Sequence, residues 1–170
     1  RRQRQMCIRD RIATLLTVFA ALLQLGIAQN LFQQPLAAPI FPLVIIAGWG
    51  AMRGLGEIVP GAALAAIALG VASEERTGWF LFAMLPTVLL ILPALALRPS
   101  QRMLLAPVAA ALGVIAYQGL LYLVDGVAFT AIVESDALLR GTLYSAAASL
   151  LLASACWALR PQPPDNGLFI

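Results

Sequence analysis

Arg1-Arg2-Gln3-Arg4-Gln5-Met6-Cys7-Ile8-Arg9-Asp10-Arg11 runs straight into Ile12-Ala13-Thr14-Leu15-Leu16-Thr17-Val18-Phe19-Ala20-Ala21-Leu22-Leu23, and this junction decides how the chain is read. Five arginines crowd the first eleven residues, and the twelve residues that follow carry no charge. Apolar runs then recur along the 170 residues. Hydrophobic residues make up 61% of the chain and charged residues only 11%. The mean hydropathy is +0.89. That composition leaves too little polar surface to coat a soluble domain of this length. It predicts an all-α, polytopic membrane protein whose solvent is a bilayer.

In lipid, backbone polar groups must be satisfied within the protein, so each apolar run is a helix or part of a closed barrel. Barrel strands alternate over roughly ten residues, whereas these runs are unbroken Ala, Leu, Val and Ile. Six helices are expected: Ile12–Ala28, Leu36–Met52, Glu57–Ser73, Trp79–Leu97, Met103–Val124 and Ala137–Leu159. Only Arg53, Gly54, Leu55 and Gly56 separate the second from the third, which predicts a tight hairpin or a re-entrant pair. Pro60 and Pro107 are expected in first helical turns, where proline is tolerated. Pro86 and Pro93 should kink the fourth helix or end it early.

Cytoplasmic segments hold an excess of Arg and Lys. With the N-terminus inside, six spans put Arg1, Arg2, Arg4, Arg9, Arg11, Arg53, Arg98, Arg102 and Arg160 on the inner side, nine of the eleven basic residues. Arg76 and Arg140 fall outside with Glu74, Glu75, Asp125, Glu134 and Asp136. Both termini are therefore expected in the cytoplasm. A signal peptide cleaved after Gly26-Ile27-Ala28 would leave five spans and spoil this pattern. The division is a basic N-tail over residues 1–11, a six-helix transmembrane domain over 12–159, and a Pro-rich cytoplasmic tail over 160–170. The net charge of +3 follows from the same bias, so no nucleic-acid surface is implied; the basic tail suits anionic lipid.

The chain has no His, which excludes imidazole ligation and His-based acid–base chemistry. Cys7 and Cys156 both fall on the reducing side and are expected as free thiols. No glycine-rich phosphate loop is present. No catalytic residue, metal site or cofactor is expected. Arg53 and Glu57 are spaced to pair across the hairpin turn. Arg140 is placed to snorkel outward.

Within the spans, Gln24, Tyr117, Gln118 and Tyr122 are the candidates for a polar cavity, and Thr142, Tyr144, Ser145, Ser149 and Ser154 add hydroxyls on the sixth helix. Hydrogen bonding between helices is the plainer use of such groups. Small residues form faces of their own. Ala62, Ala66 and Gly70 recur every fourth residue on the third helix, widened by Gly61 and Ala65. Ser145, Ala146, Ser149 and Ala153 do the same on the sixth, and Ala13, Thr17 and Ala21 on the first. Such faces let helices approach closely, whether within the bundle or against a partner's helix.

The stretch Arg53-Gly54, Gly61-Ala62, Ala66, Gly70-Val71-Ala72-Ser73-Glu74 and Thr77-Gly78 resembles the rod shape-determining MreD family. That family has an Arg-Gly pair after its second span, then a helix with glycines every four residues closing in Gly-Leu-x-x-Asp. Gly70 and Glu74 keep the glycine-to-acid spacing; Ala62 and Ala66 stand where the family usually has Gly, and Glu74 where it has Asp. Chain length, the basic N-tail, a first helix running into Gln24 and the Tyr117-Gln118 and Tyr122 patch agree.

The resemblance implies a non-enzymatic scaffold of the bacterial cell-elongation and peptidoglycan synthesis machinery in the cytoplasmic (inner) membrane. Its implied partners are a single-span MreC-like protein, a RodA-type glycosyltransferase, a class B penicillin-binding protein and the actin-like MreB. Ala62, Ala66, Gly70, Glu74, Ser145 and Ser149 are then the candidate partner or helix-packing face, and Arg53, Arg98 and Arg102 the candidate cytoplasmic contacts. The chain is also similar in size and topology to the S-components of energy-coupling-factor vitamin transporters. Those bind a vitamin and couple through an Ala-x-x-x-Ala motif in the first helix, of which Ala13, Thr17 and Ala21 form a degraded version. An S-component-like bundle is thus the expected fold for either; an accessory subunit of another membrane complex would look similar in sequence, and fold alone does not decide the function.

Overall fold

The computed structural model describes residues 2–28, 31, 37–73, 77–94, 96–124 and 136–159. Among them are six α-helices and no strand: α1 (Arg2–Leu23), α2 (Phe41–Arg53), α3 (Leu55–Ala72), α4 (Thr77–Ala94), α5 (Pro99–Val124) and α6 (Asp136–Ala158). A single π-helical turn, Gln24–Ala28, extends α1. Four starts or ends of the expected spans move by more than two residues. α1 begins at Arg2, so the basic segment expected as a tail is helical backbone continuous with the first span. α2 begins at Phe41 instead of Leu36. α5 begins at Pro99, a proline at the first helical position, so Pro107 lies well inside the helix. Pro60 likewise sits inside α3. Glu74 and the tail 160–170 lie outside the described residues.

α4 carries Pro86 within one continuous helix and stops at Ala94, one residue after Pro93. Each proline removes a donor to the carbonyl four residues earlier. Past Pro93 the chain turns, with Ala96 N–H donating to the Pro93 carbonyl at 3.2 Å.

The helices alternate in direction. α2 is the hub: it packs against α1, α3, α4, α5 and α6, while α1, α3, α4, α5 and α6 form an arc around it, each against the next. Gly48 and Gly50 explain how one helix can serve so many neighbours. Two residues on a helix are about 200° apart, so these glycines lie on opposite sides of α2. A Cβ on Gly48 would lie 2.9 Å from the Ser149 carbonyl oxygen of α6, and one on Gly50 would lie 3.0 Å from Ile91 Cδ1 of α4.

The interior holds many small side chains beside large ones such as Leu43, Ile46, Ile58, Met84 and Ile91. The buried set is rich in alanine: Ala13, Ala21, Ala47, Ala65, Ala66, Ala83, Ala106, Ala110 and Ala153 are all fully covered. The outside carries Leu15, Phe19, Val71, Phe82, Leu104, Leu143 and Leu151, each more than half exposed. Two helical segments, Ser100–Val124 and Asp136–Ala158, are long and apolar enough to cross a membrane, and most of each apolar window is uncovered by protein.

Candidate functional site

Five of the six residues expected to form a partner or packing face can be placed, and all five are inside the bundle. Ala62 and Ala66 are buried, as is Gly70. A Cβ on Gly70 would lie 2.6 Å from the Thr77 Cα, so this glycine lets the chain fold back from α3 into α4. Gly61, next to Ala62, faces α1: a Cβ there would lie 3.2 Å from the Thr14 Cα. The first-helix stripe of Ala13, Thr17 and Ala21 is fully covered. Ser145 and Ser149 are covered too. These faces are consumed in closing the bundle, and none is open to a partner helix in this structure.

Several hydroxyls within the spans bond to backbone, while Thr87 Oγ1 is buried without a hydrogen-bond partner. Thr17 donates to the Ala13 carbonyl at 2.7 Å, Thr142 to that of Leu138 at 2.7 Å, Ser149 to that of Ala146 at 2.8 Å, and Ser154 to that of Leu151 at 2.8 Å. Bonding back to its own helix satisfies a hydroxyl without a second helix.

Gln24 and Ser145 do something different. The first N–H groups of any helix lack an intrahelical partner. α2 begins in the covered interior, with Ile40 1% exposed, and an unsatisfied N–H there is costly. Ile40 N–H donates to Ser145 Oγ at 3.1 Å, and Phe41 N–H donates to Gln24 Oε1 at 3.0 Å. Pro42 has no N–H to satisfy. Two distant helices thus supply the caps of a third. Gln24, expected at a polar cavity, is a capping residue. Tyr117 belongs to the main core, against Phe80 with ring centroids 6.4 Å apart; Tyr122 packs partly buried against that core, and Gln118 is half-buried.

The end of the bundle that holds the α2–α3 and α4–α5 turns carries Arg53, Arg98 and Arg102, with Arg11 in the first half of α1. Gly54 alone links α2 to α3, with φ +109 and ψ 168, a conformation that glycine adopts without a Cβ penalty. The expected pairing of Arg53 with Glu57 does not form. The hinge faces Glu57 back along α2, where its Oε2 accepts from Trp49 Nε1–H at 2.8 Å. Arg53 Nε is buried without a hydrogen-bond partner. In the α4–α5 turn, Arg102 folds back so that its Nε donates to the Leu97 carbonyl at 2.9 Å. Arg98 is exposed, and its N–H donates to Gln101 Oε1 at 3.2 Å, which caps the start of α5.

Among the described residues, two grooves lie on the outer surface. One of about 320 Å³ lies on the α1–α3 seam, lined by Arg11, Thr14, Leu15 and Pro60. The other, about 240 Å³, lies between α5 and α6, lined by Ile115, Leu138, Leu139, Thr142 and Leu143. The second has no charged residue among these, and its one hydroxyl, on Thr142, already donates to Leu138.

Gly48 and Gly50, which admit α6 and α4, were not singled out from the sequence. A Gly-x-Gly within an apolar run is the signal for a helix approached from two sides. Compared with known proteins, the chain matches no family model, no curated protein and no solved structure.

Proposed function

We propose that this chain is a six-span protein of the bacterial inner membrane, with both termini cytoplasmic, acting as a non-enzymatic scaffold of the cell-elongation machinery in the manner of the MreD family. The observation that carries the membrane reading is the apolar exterior: large side chains such as Leu15, Phe19, Phe82, Leu143 and Leu151 cover the outside. A soluble monomer rarely exposes an apolar patch beyond about 600 Å²; lipid removes that constraint. The arginine-rich inner end then lies in the cytoplasm.

The scaffold reading rests on the MreD-like stretch and on the commitment of the Thr17, Thr142, Ser145 and Ser149 hydroxyls to backbone. With Ala62, Ala66, Gly70, Ser145 and Ser149 buried, the proposed MreC-like partner lies against the large apolar residues of the outer face. A RodA-type glycosyltransferase, a class B penicillin-binding protein and MreB are the further proposed partners, with Arg53, Arg98 and Arg102 as the cytoplasmic contacts. Burial of Ala13, Thr17 and Ala21 weighs against the S-component alternative, which needs that stripe free to couple.

Purification from native membranes in mild detergent, followed by mass spectrometry of the co-purifying proteins, tests the proposal. A single-span MreC-like protein or cell-wall synthases are expected. Cytoplasmic ATPases together with a bound vitamin would replace the scaffold with a transporter subunit.

A further inference from the structure

We propose that the groove on the α1–α3 seam holds one anionic phospholipid of the inner leaflet, its phosphate on Arg11 and an acyl chain along Leu15 and Pro60; this rests on the membrane-spanning reading above. The groove has a physical cause. Gly61 lets α3 close onto Thr14 and Thr17 of α1, which sets a floor. Pro60, beside it, and Arg11 and Leu15 stand as walls. At about 320 Å³ it falls within the size of small-molecule sites, roughly 300–1,000 Å³.

Its lining has a lipid's polarity. Arg11 supplies a cation at the end toward the start of α1. Leu15, one turn or about 6 Å further along the helix, is 67% exposed and apolar. The guanidinium offers paired donors to phosphate oxygens. Gly56, one turn before Pro60 on the same face of α3, is exposed and has open space where a Cβ would stand. Gly54, at the cap of α3, makes no side-chain cap, so the first N–H groups of α3 stay directed toward that end, where they favour an anion. Four more arginines precede Arg11 in the sequence and raise the local density of anionic lipid. The α5–α6 groove, with no charge among its lining residues, lacks a headgroup partner.

Membranes bearing the full chain would first be washed with alkaline carbonate. The purified protein would then be titrated with phosphatidylglycerol, or with phosphatidylcholine of the same chains, and read by native mass spectrometry. The wild type should keep one phosphatidylglycerol in preference to phosphatidylcholine. Arg11→Gln should lower that retention about fivefold, the worth of one basic side chain near an anionic surface. Leu15→Trp, which fills the groove and keeps the charge, should lower it as well. Arg98→Gln removes a charge at the same end outside the groove and should leave it unchanged. Equal retention by Arg11→Gln and wild type overturns the site, as does an equal loss in Arg98→Gln. A wild type that stays in washed membranes yet shows no lipid preference overturns the site alone. Release by the carbonate wash overturns the membrane-spanning reading and the site together.

Discussion

α2 and α6 are both uncharged through their middles, and the bundle uses them in opposite ways. α2 has 13 residues and buries nine of them, on every side. α6 has 23 and buries seven: Ala137, Leu138, Gly141, Ser145, Ser149, Ala153 and Cys156, a single stripe at three- and four-residue spacing. The shorter helix is the hub, and the longer one is a wall with a bare outer face. Length therefore did not decide which helix is central. Direction did: α2 is apolar or small all round, as a fully covered helix must be, while α6 turns Leu139, Leu143 and Leu151 away from the protein.

This contrast ranks substitutions. Gly48→Val puts a branched side chain where a Cβ already meets the Ser149 carbonyl at 2.9 Å. It should cost about 3 kcal/mol, the upper end for overpacking, seen as a lowered midpoint of unfolding in mixed detergent. An unchanged midpoint would mean that α2 and α6 are not in direct contact. Ser145→Ala leaves the Ile40 N–H without its acceptor. About 2 kcal/mol of destabilisation is expected for a covered donor, with faster hydrogen exchange at Ile40; exchange as slow as in wild type would deny that α6 caps α2. Trp49→Phe keeps the ring and removes the hydrogen bond to Glu57, for about 1 kcal/mol, measured by the same unfolding series. Leu151→Ala on the bare face of α6 should change stability by no more than about 0.5 kcal/mol. A loss as large as that of Gly48→Val would show that the outer face of α6 is covered by something.

Ala66→Leu and Gly70→Leu separate packing from docking. Ala66 is fully buried and Gly70 abuts Thr77, so both should lower the stability of the isolated bundle by about 1–3 kcal/mol. Loss of a partner with normal stability would instead place a partner's helix on that face.

Much of the backbone was legible in the chain. α3 and α6 lie within two residues of the expected spans, and the hairpin falls at the expected Arg53–Gly56. Apolar runs bounded by arginine, glycine or proline mark helices whether or not they touch one another. The starts of α1 and α5 were missed for a local reason. Hydropathy marks where a helix becomes apolar, while the hydrogen-bond ladder continues through Arg2–Arg11 and begins already at Pro99.

The roles of the polar residues were not legible in the same way. Gln24, Ser145 and Glu57 are each a single polar group in an apolar or turn setting, and sequence spacing ties them only to neighbours three or four residues away. Their partners lie elsewhere: Phe41 for Gln24, Ile40 for Ser145, and Trp49, eight residues back across the hinge, for Glu57. A stripe of small residues carries the same ambiguity, because close packing looks alike from one side whether the other helix belongs to the chain or to a partner.

By itself the sequence determined the helical class, the six helices seen among the described residues, a turn within Arg53–Gly56 and the crowding of arginines in the first eleven residues. Those follow from hydropathy, local backbone preference and charge order, which need no knowledge of neighbours. Only the tertiary structure decided that α2 is the hub, that the small faces are spent inside the bundle, that α2 is capped by α1 and α6, and that Arg11 heads a groove on the α1–α3 seam. Each is a property of which surfaces meet, and that is set by fit between side chains far apart in the chain.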